Sequence, residues 1–283
     1  MVFLLAMSSA LHWESIGEEK ASGWFLVLHG IFGRGRNWSR FAKAVSKTEP
    51  SLAFVLPDLR GHGGSQSVKG PHTLVAAAQD IKTLAEEVES ERGPLLGVVG
   101  HSFGGKVATL ATDLLDRDGT ALWLLDSSPS SDVNALKRSG DSAGAAVSVL
   151  RIMERMDSDL FASRDDFYQF FTENGVSRPV AQWLGMQLVS EEGKYRFVLR
   201  PETMHSLLSD YYATDTWDFV EKNKNVHVVR AGQSSVISDE DAEKISGAAG
   251  CTLHTIEKAG HWLHVDALEE LCEKFVRASA QGA

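Results

Sequence analysis

The chain has 283 residues, of which 43% are hydrophobic and 23% charged, a composition typical of a globular protein with a sizeable core. Its net charge of −10 argues against a nucleic acid or an anionic membrane as partner, because both require a basic face. Its two cysteines, Cys251 and Cys272, are too few for a disulfide framework, which fits a reducing compartment.

Residues 1–10 are partly apolar but lack the basic start of a secretory signal. We expect them to form a disordered or surface-packed tail. No apolar run is long enough to span a bilayer, so we expect no integral membrane segment. These features predict a cytoplasmic protein, with organelle targeting as the alternative.

Strand and helix patterns alternate from Leu11 to Asp126. Leu11–Ile16 alternates between apolar and polar residues, which is typical of an edge strand in an antiparallel pair. Continuous apolar runs, typical of strands covered on both faces, lie at residues 23–29, 52–56, 95–100 and 120–126. Helical periodicity predicts helices at residues 37–46, 73–90 and 104–115.

The pattern then changes to helical segments with little strand signal, rich in large aromatic side chains. We predict helices at residues 133–156, 165–173, 179–189 and 201–210, and one short extended piece at 194–199. Strand patterns resume at residues 225–230 and 252–256, and a final helix is predicted at 266–278.

This order predicts an α/β fold with a mostly parallel sheet flanked by helices on both faces. The predicted divisions are the tail at 1–10, the first part of the core at 11–130, a helical cap insert at 131–223 and the second part of the core at 224–283. A functional site is expected at the carboxyl ends of the strands, where the insert also begins.

A candidate nucleophile lies at the end of the 95–100 strand, in the run Gly100-His101-Ser102-Phe103-Gly104. Gly-x-Ser-x-Gly between a strand and a helix is the pattern of a nucleophile elbow. The glycines leave room for the sharp turn that exposes the Ser102 hydroxyl.

His261 is the candidate base, because it follows Gly260 in the loop after the last predicted strand. We expect His101 to be structural, and His29 and His62 to orient loops. His261 and His264 are close in sequence but have no third metal ligand nearby, so we predict no metal and no cofactor.

The base needs an acid to orient it, and two aspartates are candidates. Asp126 ends the strand after the elbow helix, and Asp239 follows the penultimate strand. In the loop after the penultimate strand, Ser235 stands where an acid would be expected. We favour Asp126 over Asp239, and either choice gives the chain order Ser, Asp, His.

The backbone N–H groups of Phe103 and Ile31 are the predicted donors to an oxyanion. Among the nearby aromatic residues, Phe32, Trp183, Phe167 and Trp262 are predicted to bind the apolar part of a substrate.

These motifs resemble the α/β-hydrolase superfamily over almost the whole chain. The runs 29–33, 100–106 and 260–266 are similar to those of the YbfF-like esterases. The resemblance implies an acid at Asp126, with Ser235 assisting the histidine. It also implies a serine esterase or thioesterase that acts on small to medium acyl chains. We expect a small-molecule acyl ester or thioester as partner, and a monomer or homodimer.

Other activities fit the same motifs. A carbon–carbon bond hydrolase or lyase, a cofactor-free haloperoxidase and a slow-turnover small-molecule receptor all use or retain this serine. A serine at the elbow excludes dehalogenases and epoxide hydrolases of this type, since they need an aspartate there.

Overall fold

The computed structural model describes residues 9–138 and 144–279, which contain ten strands and eleven α-helices. The strands are β1 (Trp13–Ile16), β2 (Gly23–Leu28), β3 (Leu52–Pro57), β4 (Leu95–His101), β5 (Ala121–Leu125), β6 (Leu160–Phe161), β7 (Leu188–Glu191), β8 (Lys194–Phe197), β9 (Val226–Ala231) and β10 (Cys251–Ile256). The helices are α1 (Ser39–Thr48), α2 (Leu74–Glu91), α3 (Phe103–Leu115), α4 (Ala145–Met153), α5 (Arg164–Glu173), α6 (Arg178–Leu184), α7 (Pro201–Ala213), α8 (Trp217–Lys222), α9 (Asp239–Gly247), α10 (Leu263–Asp266) and α11 (Leu268–Ser279).

The main sheet has seven strands in the order β1-β3-β2-β4-β5-β9-β10. β1 pairs with β3 in the antiparallel direction, and the other pairs are parallel. The predicted mostly parallel sheet with an antiparallel edge strand is confirmed. The predicted strands of this sheet end within two residues of the observed ones.

Helices cover both faces of this sheet, which explains why its strands have continuous apolar sequences. In β2, Trp24, Leu26 and Leu28 belong to the core cluster shared with α2, α3 and the chain between β5 and β9. Phe25 and Val27 point to the opposite face, where they join α1 and α11. Successive side chains of a strand face opposite sides, so a strand buried on both sides has no polar face.

The residues between β5 and β9, called the insert below, differ from the helical prediction. They include a three-stranded antiparallel sheet in the order β6-β8-β7. The helix predicted at 179–189 ends as α6 at Leu184, and its last residues enter β7. Glu192 and Gly193 have positive φ angles of 47° and 81°. They form the two-residue turn that joins β7 and β8 in a tight hairpin.

Other predicted boundaries also change. The helix predicted at 133–156 is a short 3₁₀ turn at Ala135–Lys137 and then α4, with residues 139–143 outside the described part. The final helix is divided into α10 and α11, and neither α8 nor α9 was predicted. Of the predicted tail at 1–10, only Ser9 and Ala10 belong to the described residues. Within residues 9–138 and 144–279, none of the helices has the length and apolar character that crossing a bilayer requires.

Lys106 on α3 holds the start of the insert and the end of α7. Its ammonium group donates to the carbonyl oxygens of Ser130, Tyr211 and Thr214, at 2.8, 2.9 and 2.7 Å. The side chain is buried, so these bonds replace the water that a lysine normally binds. The insert is therefore attached to the helix that begins directly after Ser102.

Replacing Lys106 with methionine should lower the free energy of unfolding by about 2–4 kcal/mol, because buried carbonyl oxygens lose their donor. Urea unfolding followed by circular dichroism measures the change. The exposed Lys43→Met variant is the control and should behave as the wild type. Equal urea midpoints for the wild type and Lys106→Met would contradict this role.

Candidate active site

Ser102 forms the turn between β4 and α3, with φ 53° and ψ −120°. A serine in this region of backbone space is strained, and such strain persists only where the surrounding structure holds it. The packing is close, since a Cβ atom on Gly104 would lie 2.6 Å from the carbonyl oxygen of His29. A Cβ atom on Gly100 would collide with Gly104. The two glycines of the predicted motif therefore allow the turn, and Ser102 lines a cavity beside it.

His261 lies in the loop after β10 and is hydrogen-bonded to Asp126. The Nδ1 atom is 2.7 Å from Asp126 Oδ2, and the other carboxylate oxygen accepts from the backbone N–H of Ala231 at 3.2 Å. Asp126 is completely buried, where a carboxylate needs such partners. With Nδ1 as the donor, the neutral ring has an unprotonated Nε2 that can accept a proton.

Ser102 and His261 line the same cavity. Within residues 9–138 and 144–279 they form no direct hydrogen bond, although catalytic bonds of this kind often tighten only when substrate binds. The second candidate acid has different neighbours. Asp239 lies in the first turn of α9 with a side chain 96% exposed, and it pairs with Arg230 at 2.6 Å.

Ser235 also lines the cavity, but it is exposed. In the described ranges, its hydroxyl bonds neither to His261 nor to Asp126. The predicted assistance of the histidine therefore has no direct contact in this structure.

The two predicted oxyanion donors, Ile31 and Phe103, line the cavity with Ser102. The Phe103 N–H belongs to the first turn of α3, whose N–H groups have no partner inside the helix. The Gly30 carbonyl, in the same peptide group as the Ile31 N–H, lies 2.7 Å from His29 Nδ1 and accepts from Gly33 N at 3.0 Å. These bonds fix the peptide plane, and with it the direction of the Ile31 N–H.

His29 and His62 hold the loops that flank the site, in agreement with the orienting role predicted for them. The backbone N–H of Leu59 donates to His29 Nε2 at 2.9 Å, and that of Phe32 donates to His62 Nε2 at 3.1 Å. His62 Nδ1 in turn donates to the carbonyl of Arg60 at 3.0 Å. Burial lowers the pKa of His29, and it lowers the pKa of His62 to about 3. Both rings are therefore neutral near pH 7.

His101 and His264 surround the loop of His261. His101 Nε2 donates to the carbonyl of His261 at 2.8 Å, and the two rings are 4.7 Å apart. The His264 ring packs 4.4 Å from that of Trp38. Burial lowers the pKa of His101 well below its usual range and that of His264 to about 4. Neutral rings position the loop without adding a positive charge that would repel a protonated His261.

The cavity has a volume of about 640 Å³ and lies between the main sheet and the insert. Three of the predicted binding residues, Phe32, Trp183 and Trp262, line this cavity, and the two tryptophan rings are 5.9 Å apart. Other aliphatic side chains that line it belong to Ala135, Ala145, Ala146, Val149, Val180, Leu208 and Val236.

Phe167 does not fit the predicted binding role, because it is absent from the described lining of this cavity. It is completely buried in the insert, where its ring packs against the aromatic rings of Phe161, Phe171 and Phe197. On α5 the side chain faces the core of the insert. The sequence pattern alone does not distinguish an aromatic residue in this core from one that lines the cavity.

Gln187 was missed by the sequence analysis. It follows α6, is completely buried, and bonds to the loops after β2 and β3. The one local signal is an amide within the apolar run Leu184–Val189. A buried amide needs hydrogen-bond partners, but the surrounding sequence does not identify them.

In comparisons with known proteins, the profile of the alpha/beta hydrolase family matches residues 25–274. A putative esterase/lipase of Haemophilus influenzae is 25% identical over 256 residues, covering 85% of this chain and 77% of the relative. An sn-1-specific diacylglycerol lipase of Danio rerio is 25% identical over 256 residues, covering 85% of this chain and 73% of the relative.

Solved structures share the fold. A marine microorganism esterase has a TM-score of 0.78 at 21% identity, covering 95% of this chain and 99% of the other. An esterase of Exiguobacterium antarcticum has a TM-score of 0.67 at 17% identity, covering 95% of each chain. The similarity therefore includes both the main sheet and the insert.

The neutral histidines predict a loss of stability in acid. The pKa of His62 is about 3 when folded, against a usual value of 6.5, so below pH 6.5 the unfolded chain binds a proton that the folded chain excludes. Between pH 6.5 and 5, this histidine alone should lower the free energy of unfolding by about 1.5 kcal/mol.

The His62→Gln variant tests this prediction, because glutamine keeps one acceptor and one donor but does not titrate in this range. Urea unfolding at pH 6.5 and 5 should show a smaller loss of stability for the variant than for the wild type. The same loss in both proteins would show that His62 is not responsible.

Proposed function

This chain belongs to the alpha/beta hydrolase family, and we propose that it is a serine hydrolase that cleaves carboxylic esters through an acyl-enzyme. The observation that carries the proposal is the hydrogen bond between His261 and the buried Asp126, beside the cavity that Ser102 lines. The names of the relatives, an esterase/lipase and a diacylglycerol lipase, support the same reaction class.

In the proposed mechanism, His261 Nε2 takes the hydroxyl proton of Ser102 while Ser102 Oγ attacks the acyl carbonyl carbon. Asp126 holds the tautomer of His261 and stabilises the imidazolium that forms. The tetrahedral intermediate collapses, the bond to the alcohol oxygen breaks, and His261 gives its proton to the departing alcohol. A water molecule, deprotonated by His261, then attacks the acyl-enzyme. The second tetrahedral intermediate collapses, the bond between the acyl carbon and Ser102 Oγ breaks, and His261 returns the proton to Ser102 as the acid leaves.

The Ile31 and Phe103 N–H groups are the proposed donors to the oxyanion of both tetrahedral intermediates. Phe32 is a poorer candidate than Ile31, because its N–H already donates to His62. Removing one such donor typically costs a factor of about 100 or more in rate.

The apolar wall of the cavity supports an acyl pocket for small to medium chains, with Trp183 and Trp262 as contacts. The described lining contains one permanent cation, Arg138, and both of its terminal nitrogens bond to Asp132. A thioester with a phosphate-bearing leaving group would need unpaired cations. This pairing favours uncharged esters over such thioesters.

The position of Asp126 after β5 also supports the proposal that this chain belongs to the YbfF-like branch. In that branch the carboxylate follows the strand after the elbow helix, as Asp126 does. Ser235 would assist the histidine only if it moved into contact, since it forms no bond to His261 within the described residues.

Hydrolysis of short p-nitrophenyl esters and of acyl-CoA tests the proposal. Ser102→Ala should abolish turnover of the esters, and Asp126→Asn should lower kcat by about 10⁴-fold, because the histidine loses its correct tautomer. Asp239→Asn is the matched control, since this exposed aspartate pairs with Arg230.

Activity that survives Ser102→Ala would exclude the mechanism. A near-normal Asp126→Asn enzyme together with an inactive Asp239→Asn enzyme would transfer the acid role to Asp239. Negligible ester turnover by the wild type, with tight binding of a small molecule in the cavity, would favour the receptor alternative.

The acyl pocket predicts a change in chain-length preference. Val149 on α4 lines the cavity, so Val149→Phe should lower kcat/KM for the octanoate ester relative to the acetate ester by at least about tenfold. Val189→Phe is the control, because Val189 is 45% exposed on β7 and outside the described lining. An unchanged ratio in Val149→Phe would argue against an acyl chain along this wall.

A further inference from the structure

We propose that Gln187 is a positioning residue, through which the insert holds the loop that carries the Ile31 oxyanion donor. This inference rests on the proposed function, because Ile31 has this role only in acyl transfer. The loop, called the oxyanion loop below, consists of residues 30–33.

The oxyanion loop is a tight turn with a strained residue. Gly33 N donates to the Gly30 carbonyl at 3.0 Å, which closes a four-residue turn with Ile31 and Phe32 at its centre. Phe32 has φ 64°, a left-handed conformation that costs a residue with a Cβ atom about 1–2 kcal/mol. The Gly30 carbonyl, held by His29, fixes the first half of the turn. Without outside support at Phe32, the second half would relax and, through the bond from Gly33 N to the Gly30 carbonyl, would shift the peptide group of Ile31.

Support comes from both sides of Phe32. Its N–H donates to His62 Nε2 at 3.1 Å, which belongs to the loop after β3. Its carbonyl oxygen accepts from Gln187 Nε2 at 2.9 Å, and the carbonyl of Gly33 accepts from the same amide nitrogen at 2.5 Å. Gln187 is therefore the contact from the insert that holds the strained half of the turn.

The oxygen atom of the Gln187 amide also forms a hydrogen bond. This oxygen, Oε1, accepts from the backbone N–H of Gly63 at 3.1 Å. The amide nitrogen faces two carbonyl oxygens and the amide oxygen faces an N–H, so only one orientation of the amide satisfies all partners. Since Gln187 is completely buried, a side chain without these groups would leave backbone atoms unpaired.

Gln187 also lies close in sequence to the acyl pocket. Val180 and Trp183 on α6 line the cavity, and Gln187 ends the 3₁₀ turn that follows this helix. The element that would contact the acyl chain thus continues directly into the residue that holds the oxyanion loop. Because the oxyanion forms only after attack on the carbonyl, Gln187 should affect kcat and leave ground-state binding unchanged.

Gln187→Leu tests the proposal, because leucine has a similar size but forms no hydrogen bonds. With a p-nitrophenyl ester, kcat should fall about 10- to 100-fold while KM changes less than about twofold. The affinity for an alkyl boronic acid, which forms a tetrahedral adduct with a serine, should fall by a similar factor. The affinity for a non-reacting ether analogue of the ester should not change.

Asp210→Ala is the matched control. Asp210 Oδ2 accepts from the N–H of Leu74 at 2.6 Å, so this variant also removes a contact between the insert and α2, away from the oxyanion loop. It should keep the kcat of the wild type at a temperature well below its unfolding midpoint. An equal loss of kcat in both variants would mean that Gln187 only stabilises the insert, and would overturn the proposal.

Hydrogen–deuterium exchange separates this proposal from the proposed function, because it needs no substrate. Peptides that cover residues 29–35 should exchange faster in Gln187→Leu than in the wild type and in Asp210→Ala. If the wild type has no esterase activity but Gln187→Leu still exchanges faster, the result would support the contact between Gln187 and the oxyanion loop and would contradict only the proposed reaction. Unchanged exchange and unchanged kcat in Gln187→Leu would overturn the link itself.

Discussion

The strained turn at Ser102 depends on backbone segments that meet without side chains between them. Gly104 lies so close to the His29 carbonyl that a Cβ atom would clash, and Gly30 would place its Cβ atom 3.4 Å from that of Ser102. This contact brings the end of β2 against the end of β4, and it places Ile31 and Phe103, the residues of the two candidate oxyanion donors, beside the same cavity. The geometry of the candidate oxyanion site therefore follows from the close packing of two adjacent parallel strands.

Electrostatics around the site are controlled by burial. The buried rings of His29, His62 and His101 have lowered pKa values, so they remain neutral. His29 and His62 use both ring nitrogens to hold backbone groups, and His101 uses Nε2. The side chain of His261 is 34% exposed and is hydrogen-bonded to the buried Asp126. These neutral neighbours add no positive charge beside His261, which in the proposed function gains and loses a proton.

Two buried side chains connect the insert to the residues proposed to react. Lys106 attaches the start of the insert and the end of α7 to the helix after Ser102, and Gln187 attaches the insert to the oxyanion loop. Both use side-chain donors to satisfy backbone carbonyl groups that packing removes from water. In the proposed function, the insert then contributes the acyl pocket and also the rigidity of the groups around the carbonyl.

The local sequence by itself determined the parallel strands, most of the helices that cover them, and the types of residue at the turns of Ser102 and His261. These features follow from periodicity and glycine spacing within a few residues, which is the range over which a pattern reports burial. Only the tertiary structure decided that Asp126, rather than the exposed Asp239, meets His261 across 135 positions of the chain. It also decided that Phe167 packs inside the insert and that Gln187 reaches the oxyanion loop. A buried aromatic or amide side chain has the same local sequence pattern whether it lies in the core or at a functional site. Its partners depend on how segments that are distant in sequence pack together.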